Sequence, residues 1–468
     1  MVAAVTAQAL ASILTPTDSL AADARGELLI EGCSARSLLA AFGSPLYVVS
    51  ERTLRANFRR LRHAFEARWP APVNVLYAIK ANNNLAIRAI LNEEGAGGDC
   101  FGESELYATF AGGADPERVV MSGPNKSYAD LRRAVELGIR VNVDAEDEIA
   151  FLAAISRELG REARVLLRAK VLPPELDDYA MEYGPSDQSP VEHLVSCQWG
   201  FSVDAVARLV PRVQATPGLR LEGYHLHVGR TNRDPGFYAA WAAALGEAVV
   251  SLQKRTGFAP TILDVGGGFA RQRDPESRTL ALNPYGIEDY ADAVCPALLG
   301  SLRRGGLPTP ALWLEPGRYI VGNAVLLLGT VGAVKHDLGR TWVNADFSIN
   351  NLMRVETAGS RYHVLAANRL REPCDQIVDV VGPLCTGRPI AAAYPLPRLV
   401  RGDLLAVLDA GMYAETASTQ LLGVPRPATV LVSAASAELI KERETVADVF
   451  AKHRIPARLR ANGAATAA

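Results

Sequence analysis

The chain has 468 residues, enough for two or three domains, and its 49% apolar and 21% charged content is that of a globular protein with a sizeable core. A net charge of −2 gives no electrostatic hold on nucleic acid or on an anionic membrane surface, so neither is expected as a partner. The longest apolar runs, such as "AVLLL" at 324–328, are far too short to cross a bilayer, and six cysteines without CxxC spacing suit a reducing cytoplasm.

Residues 1–44 make an N-terminal segment. Its start, "MVAAVTAQALASIL", lacks a basic region and reads as a frayed end rather than a signal peptide. The stretch "LLIEGCSARSLLAAFG" (28–43) can add a piece to a later β domain. From 45 to 325, strand-length apolar runs alternate with helical stretches. The strand-like pieces are "PLYVVSE", "VNVLYAIKA", "GGDCFG", "RVVMSGP", "RVNVDAEDE", "RVLLRAKV", "LEGYHLHVGR", "TILDVGGGFA" and "ALWLEPGRYI". Between the first two lies a helix with Leu54, Phe58, Leu61 and Phe65 on one face. About eight such repeats predict a (β/α)8 barrel. The acidic, Pro-rich stretch 171–193 reads as a surface loop near the barrel mouth. Residues 326–455 predict a mostly β domain, a sandwich or small barrel, and 456–468 a disordered tail.

The residue types that carry chemistry fall at the C-terminal ends of the strands, where a barrel keeps its active site. Lys80 ends "NVLYAIK". Among apolar neighbours it loses solvation of its charged form, which favours a neutral amine able to attack a carbonyl. Taken alone, a lysine snorkelling from a strand end explains it as well. "LDVGGGFA" (263–270) leaves the backbone N–H groups of Gly266, Gly267 and Gly268 free to surround a phosphate, without the spacing of a dinucleotide fingerprint. A tight barrel turn is the equal alternative. "LEPGRYI" (314–320) sets Glu315 and Arg318 around a turn at Gly317. The carboxylate can pair with a protonated ring nitrogen and the arginine with phosphate or carboxylate, or the two can form a structural ion pair.

"YHLHVGR" (224–230) carries His225 and His227 on one side of a strand, with no third metal ligand at suitable spacing. Ring stacking suits His227 and a satisfied core position suits His225. "GPLCTG" (382–387) presents Cys385, a thiol that can move a proton if its pKa is adjusted, inert packing being the plainer reading of a lone cysteine. Together these pieces supply a Schiff-base lysine, a phosphate cradle, a carboxylate for a ring nitrogen and a stacking histidine. That is a complete site for pyridoxal phosphate, and no metal is expected.

From "GSPLYVVSE" at 43 to "DAGMYAE" at 415, the motifs and their order resemble the fold-type III pyridoxal-phosphate decarboxylases, the group of diaminopimelate and ornithine decarboxylases. The resemblance implies a barrel followed by a β-rich domain, and a homodimer with shared active sites. It makes Lys80 the cofactor anchor, His227 the stacking ring and Glu315 the partner of the pyridine nitrogen. It assigns phosphate to Gly266, Gly267, Gly268, Gly317 and Arg318, with Tyr413 near phosphate and substrate. Asp99 and Glu105 match acidic positions beside the cofactor, and Cys385 matches the thiol that returns a proton across the dimer interface.

The departures concern the substrate. The family's "HVGS" is here "HVGR", so a small hydroxyl has become Arg230. After the cysteine, family members carry an acid for the substrate's distal amine, and this chain has Thr386. In "LMRVETA" Arg354 is kept, while Ala358 replaces a tyrosine. Arg230, Arg354 and Arg388 then predict a cationic pocket, with Arg230, Arg318, Arg354, Thr386 and Tyr413 as the substrate-binding set. The expectation is decarboxylation of a neutral, anionic or bulky amino acid in specialised biosynthesis. A diaminopimelate decarboxylase proper, an amino-acid racemase and a catalytically silent regulator stay open as alternatives.

Overall fold

Eight parallel strands close on themselves in the computed structural model, which describes residues 10–183, 187–277, 279–386 and 388–459. They are β1 (Val73–Ala78), β2 (Gly97–Cys100), β3 (Val119–Met121), β4 (Arg140–Val143), β5 (Ala163–Lys170), β6 (Leu219–Leu226), β7 (Ile262–Asp264) and β8 (Ala311–Leu314). Each pairs with the next, and β8 returns to β1 through Leu312↔Val73 to Leu314↔Val75. Leu76, Val120, Leu166, Ile262 and Trp313, from five strands, form a small cluster of their own, as alternate side chains on the inner face of a barrel do. The other face packs against the surrounding helices in one large core.

The helix Glu51–Glu66 shows how the sequence builds this layer. Ser50 caps it by accepting from the Thr53 N–H, and Leu54, Phe58, Leu61 and Phe65 are all fully buried. Among the described residues no helix is long and apolar enough to cross a membrane.

One predicted barrel strand belongs elsewhere. Leu46–Ser50 pairs antiparallel with the start of Val325–Asp337 and parallel with Ala428–Ser433. It therefore lies inside the β domain, whose sheet runs in the order 391–396, 376–381, 340–345, 325–337, 46–50, 428–433, 436–441. All five of its residues are buried, as they would be in a barrel, so burial pattern could not separate the two. The N-terminal strand Leu28–Ile30 and the helix Ala35–Phe42 share a core cluster with Leu46, Val48, Leu326 and Leu328 of that sheet. The barrel is thus inserted between two parts of one β domain.

Stretch 171–193 is more ordered than a plain loop. It holds a turn of 3-10 helix at Pro174–Asp178 and the start of the helix Pro190–Ser196, with Leu176, Met181 and Tyr183 buried. The expected tail begins with another such turn, Ala457–Leu459; the rest of it, like residues 1–9, lies outside the described residues.

Candidate active site

The C-terminal ends of β1, β2, β6, β7 and β8 converge on a cavity of about 370 Å³ lined by Lys80, His227, Arg230, Gly268, Glu315, Gly317, Arg318 and Tyr413, among others. Lys80 sits in the turn Ile79–Ala81 just past β1, and the β domain reaches over through Tyr413, whose N–H donates to Ala81 O at 2.8 Å. Eight of the sequence-selected residues therefore meet on one wall.

Lys80 Nζ donates to Asp99 Oδ2 at 2.7 Å and lies 4.3 Å from the centre of the Phe101 ring. Burial pushes the ammonium down, but the charges of Asp99, Glu315 and Tyr413 outweigh it and hold Lys80 above the ordinary lysine range. The neutral amine expected from its apolar neighbours is thus corrected: two carboxylates on adjacent strand ends keep the resting group charged. Glu105 also faces this corner, accepting from the Phe101 N–H at 2.7 Å. Burial, opposed by that hydrogen bond, pushes its carboxyl up to about 7.

Beneath lies a cluster that sequence reasoning reached only in part. His225 Nε2 is 3.2 Å from Glu315 Oε2, and Asp264, at the end of β7, accepts from the Gly266 N–H at 2.9 Å. One ligand-capable atom from each of His225, Asp264 and Glu315 falls within 4.8 Å of the others. The third group missing from the histidine motif is thus supplied by tertiary folding. Burial and the neighbouring Glu315 charge push the Asp264 carboxyl well above its ordinary value. Glu315 goes the other way: burial raises it, but His225 and Lys80 hold it well below the usual carboxylate range. The two neighbouring carboxyls are thus shifted in opposite directions.

The glycines are required by close approach. Gly266 and Gly268 have φ of 68° and 90°, and a Cβ on Gly268 would lie 2.6 Å from the Gly229 carbonyl oxygen. A Cβ on Gly267 would run into the backbone carbonyl of Glu315, and one on Gly266 into the His227 ring. Gly267→Ala is therefore expected to cost about 1–3 kcal/mol of stability, read by urea unfolding, and to lower the retention of any phosphate-bearing ligand on dialysis. His227 Nδ1 accepts from the Gly267 N–H at 3.2 Å, and burial lowers its pKa to about 3, so its ring is neutral.

On the far wall, one carboxylate absent from the sequence reading holds three arginines. Glu276 Oε2 lies 2.7 Å from both Arg230 Nη1 and Arg318 Nη1, and Oε1 lies 2.7 Å from Arg354 Nε. Arg230 also pairs with Asp274 and stacks 3.5 Å from the centre of the Tyr183 ring. Arg388 pairs with Glu356 at 3.3 Å. The freely cationic pocket expected from Arg230, Arg354 and Arg388 is not what the fold builds, and the charge argument for an anionic substrate goes with it.

Burial pushes the Glu276 carboxyl up, but Arg318, Arg230 and Arg354 together lower it to about 2 from an ordinary 4.5. Because the folded value is depressed, this contribution is fully present above pH 4.5 and fades as pH falls toward 2. The difference corresponds to on the order of 3 kcal/mol. Urea unfolding at pH 5 and pH 3 is expected to show about half of that loss, and Glu276→Gln to flatten the slope.

Cys385 and Thr386 stand apart. Both are exposed on the loop after the strand Gln376–Val381, and neither lines the Lys80 cavity of its own chain. Ala358 is exposed at the end of the helix Arg354–Ala358.

Residues 51–322, more than half of the chain, match the family described as "Pyridoxal-dependent decarboxylase, pyridoxal binding domain". This chain belongs to the pyridoxal-dependent decarboxylases. The diaminopimelate decarboxylase of Methanothermobacter thermautotrophicus is 33% identical over 440 residues, covering 93% of this chain and 97% of that one. That of Pseudomonas fluorescens is 33% identical over 91% of this chain and 96% of its own length. The crystal structure of diaminopimelate decarboxylase from M. jannaschii in co-complex with L-lysine matches with a TM-score of 0.86 at 27% identity, over 96% of this chain and 100% of that one.

The protein is thus a pyridoxal-phosphate-dependent carboxy-lyase acting on an amino acid. Its residues fit that cofactor. Glu315 Oε1, on the cavity wall, is buried without a hydrogen-bond partner where a protonated ring nitrogen would meet it, and Asp264 Oδ2, His225 Nδ1 and Asp99 Oδ1 are likewise buried and unpartnered. At Gly266, Gly267 and Gly268 a Cβ would collide with His227, Glu315 and Gly229, so this backbone turn at the cavity edge is open only to glycine. Sequence reasoning missed Asp264, Asp274 and Glu276 in this decarboxylase. The acidic residues of "RDPES" (273–277), just past the glycine loop, were the available signal.

Proposed function

We propose that this decarboxylase removes the α-carboxylate of an amino acid with a neutral or bulky side chain, rather than of diaminopimelate or ornithine. It does so in the cytoplasm, as a homodimer in which each active site takes Cys385 and Thr386 from a second copy. The observation that carries the reading is the exposed Cys385–Thr386 turn, remote from its own cavity and bearing a hydroxyl where the resemblance calls for an ammonium-binding acid. Losing a buried carboxylate–ammonium contact costs a diamine substrate on the order of 2–5 kcal/mol.

When bound, pyridoxal phosphate supplies an electron-accepting ring that takes up the electron pair left as carbon dioxide departs. Lys80 would anchor it through its amine, and Asp99, at 2.7 Å, would hold that group in its ammonium form when it is free. Glu315, held well below the usual carboxylate range, would pair with the protonated ring nitrogen, and the raised Asp264 carboxyl lies beside it. His227 offers an uncharged flat ring for stacking. The Gly268 N–H, with Tyr413, would meet the phosphate, whereas the N–H groups expected to be free at Gly266 and Gly267 are given to Asp264 and His227, and Arg318 to Glu276. Cys385 of the second copy, or Lys80, returns a proton to the α-carbon.

Diaminopimelate decarboxylation is the second reading, favoured by the names of the relatives at 33% identity. A carbon dioxide release assay across diamines, acidic, neutral and bulky amino acids separates the two. Fastest release from a neutral or bulky member is expected, and fastest release from diaminopimelate would overturn the substrate reading. Mixing inactive Lys80→Ala and Cys385→Ala chains should restore part of the activity if sites are shared.

A further inference from the structure

We propose that Glu276 is a built-in carboxylate that fills the enzyme's own side-chain anion subsite and turns away substrates bearing a distal carboxylate. Guanidinium groups converging on a carboxylate beside an amino-acid cavity form a carboxylate recognition site. Here the group they grip comes from the chain itself. Arg230 and Arg318 line the cavity that holds Lys80, and Arg318 and Arg354 lie 4.6 and 5.6 Å from the centre of the Tyr413 ring, another lining residue. All three bond Glu276 at 2.7 Å.

The placement is anchored rather than incidental. Arg273, three residues before Glu276, is buried between Asp18 and Asp409 and donates to Ile13 O at 2.6 Å. Asn283 donates from its N–H to Gln272 O at 2.6 Å, Arg361 from its N–H to Pro275 O at 2.5 Å, and His363 Nε2 lies 3.1 Å from Leu280 O. Arg273, Pro275 and Leu280 are thus fastened to the N-terminal segment and the β domain, and Gln272 and Asn283 are tied to each other.

The consequence for selectivity is electrostatic. Three guanidiniums face two carboxylates, Asp274 and Glu276, and each guanidinium is already engaged. A substrate carboxylate must expel Glu276 from its buried partners before it can bind. A neutral side chain makes no such demand.

This inference rests on the decarboxylase reading above, and its probe avoids the distal amine that Thr386 concerns. Calorimetry with pimelate on the cofactor-loaded enzyme compares wild type with Glu276→Gln. The variant should bind at least tenfold more tightly, and Arg354→Ala added to it should remove the gain. In parallel, 2-aminopimelate should be turned over by Glu276→Gln with a KM at least tenfold below that of wild type. Equal pimelate binding by wild type and variant would overturn the proposal. Should Glu276→Gln fold poorly, the Tm of Glu276→Ala should rise on adding acetate while that of wild type does not, and no rise would equally overturn it. Turnover of ornithine by wild type would sink the Thr386 reading alone, so the two failures are told apart.

Discussion

Lys80→Ala will lower carbon dioxide release at least a thousandfold, equivalent to about 4 kcal/mol of barrier. The residue provides the amine at the strand end, and the cavity's other lysine cannot substitute for it. Lys170 Nζ is committed to the Cys197 carbonyl at 2.5 Å. The variant should also release its cofactor on dialysis, while urea unfolding shows a folded protein, because Asp99 can take up a proton once its partner is gone. A variant that keeps more than a tenth of wild-type turnover would remove Lys80 from the chemistry.

Glu315→Gln should lower kcat roughly a hundred- to a thousandfold, about 3–4 kcal/mol, with the cofactor retained. Glutamine preserves the shape of the side chain but carries no charge to hold a ring-nitrogen proton. The neighbouring carboxyl gives this variant a signature. The Glu315 charge is, after burial, the main cause of the raised Asp264 carboxyl. With that charge gone, Asp264 ionises more readily and can partly replace it. Residual activity should therefore rise with pH, and adding Asp264→Asn should abolish the rise. A flat pH profile in the single variant would show that Asp264 does not communicate with the ring nitrogen.

The barrel was legible because parallel strands leave apolar runs separated by helical periodicity, and eight of the nine runs singled out are its strands. The ninth, Leu46–Ser50, was misplaced because neither burial nor composition states which sheet a strand joins. In the site, residues carried by short motifs were found: Lys80, His227, Glu315, Arg318 and the three glycines. His225 was read as a core histidine, and it is buried, yet its partner is Glu315, a residue 90 positions away. Glu276 escaped for the same reason. Its meaning lies in the three arginines around it, which come from β6 and β8 loops and from the β domain. Isolated charge in a loop carries no mark of its partners. The reading of Lys80 as neutral failed similarly, since local apolarity was visible and the carboxylates of other strands were not.

The position of Leu46–Ser50 in the β domain has a consequence for synthesis of the chain. Some 275 residues lie between Ser50 and Val325, where its antiparallel neighbour begins. At about 5–20 residues per second, a ribosome takes roughly 14 to 55 s to cover that distance. Throughout that time "LYVVS" leaves the exit tunnel as an unpaired apolar strand, open to pairing with another nascent chain. The barrel can fold as it emerges, whereas its companion domain must wait for release of the last strands. Leu46–Ser50 therefore waits for both of its neighbouring strands until most of the chain has been made.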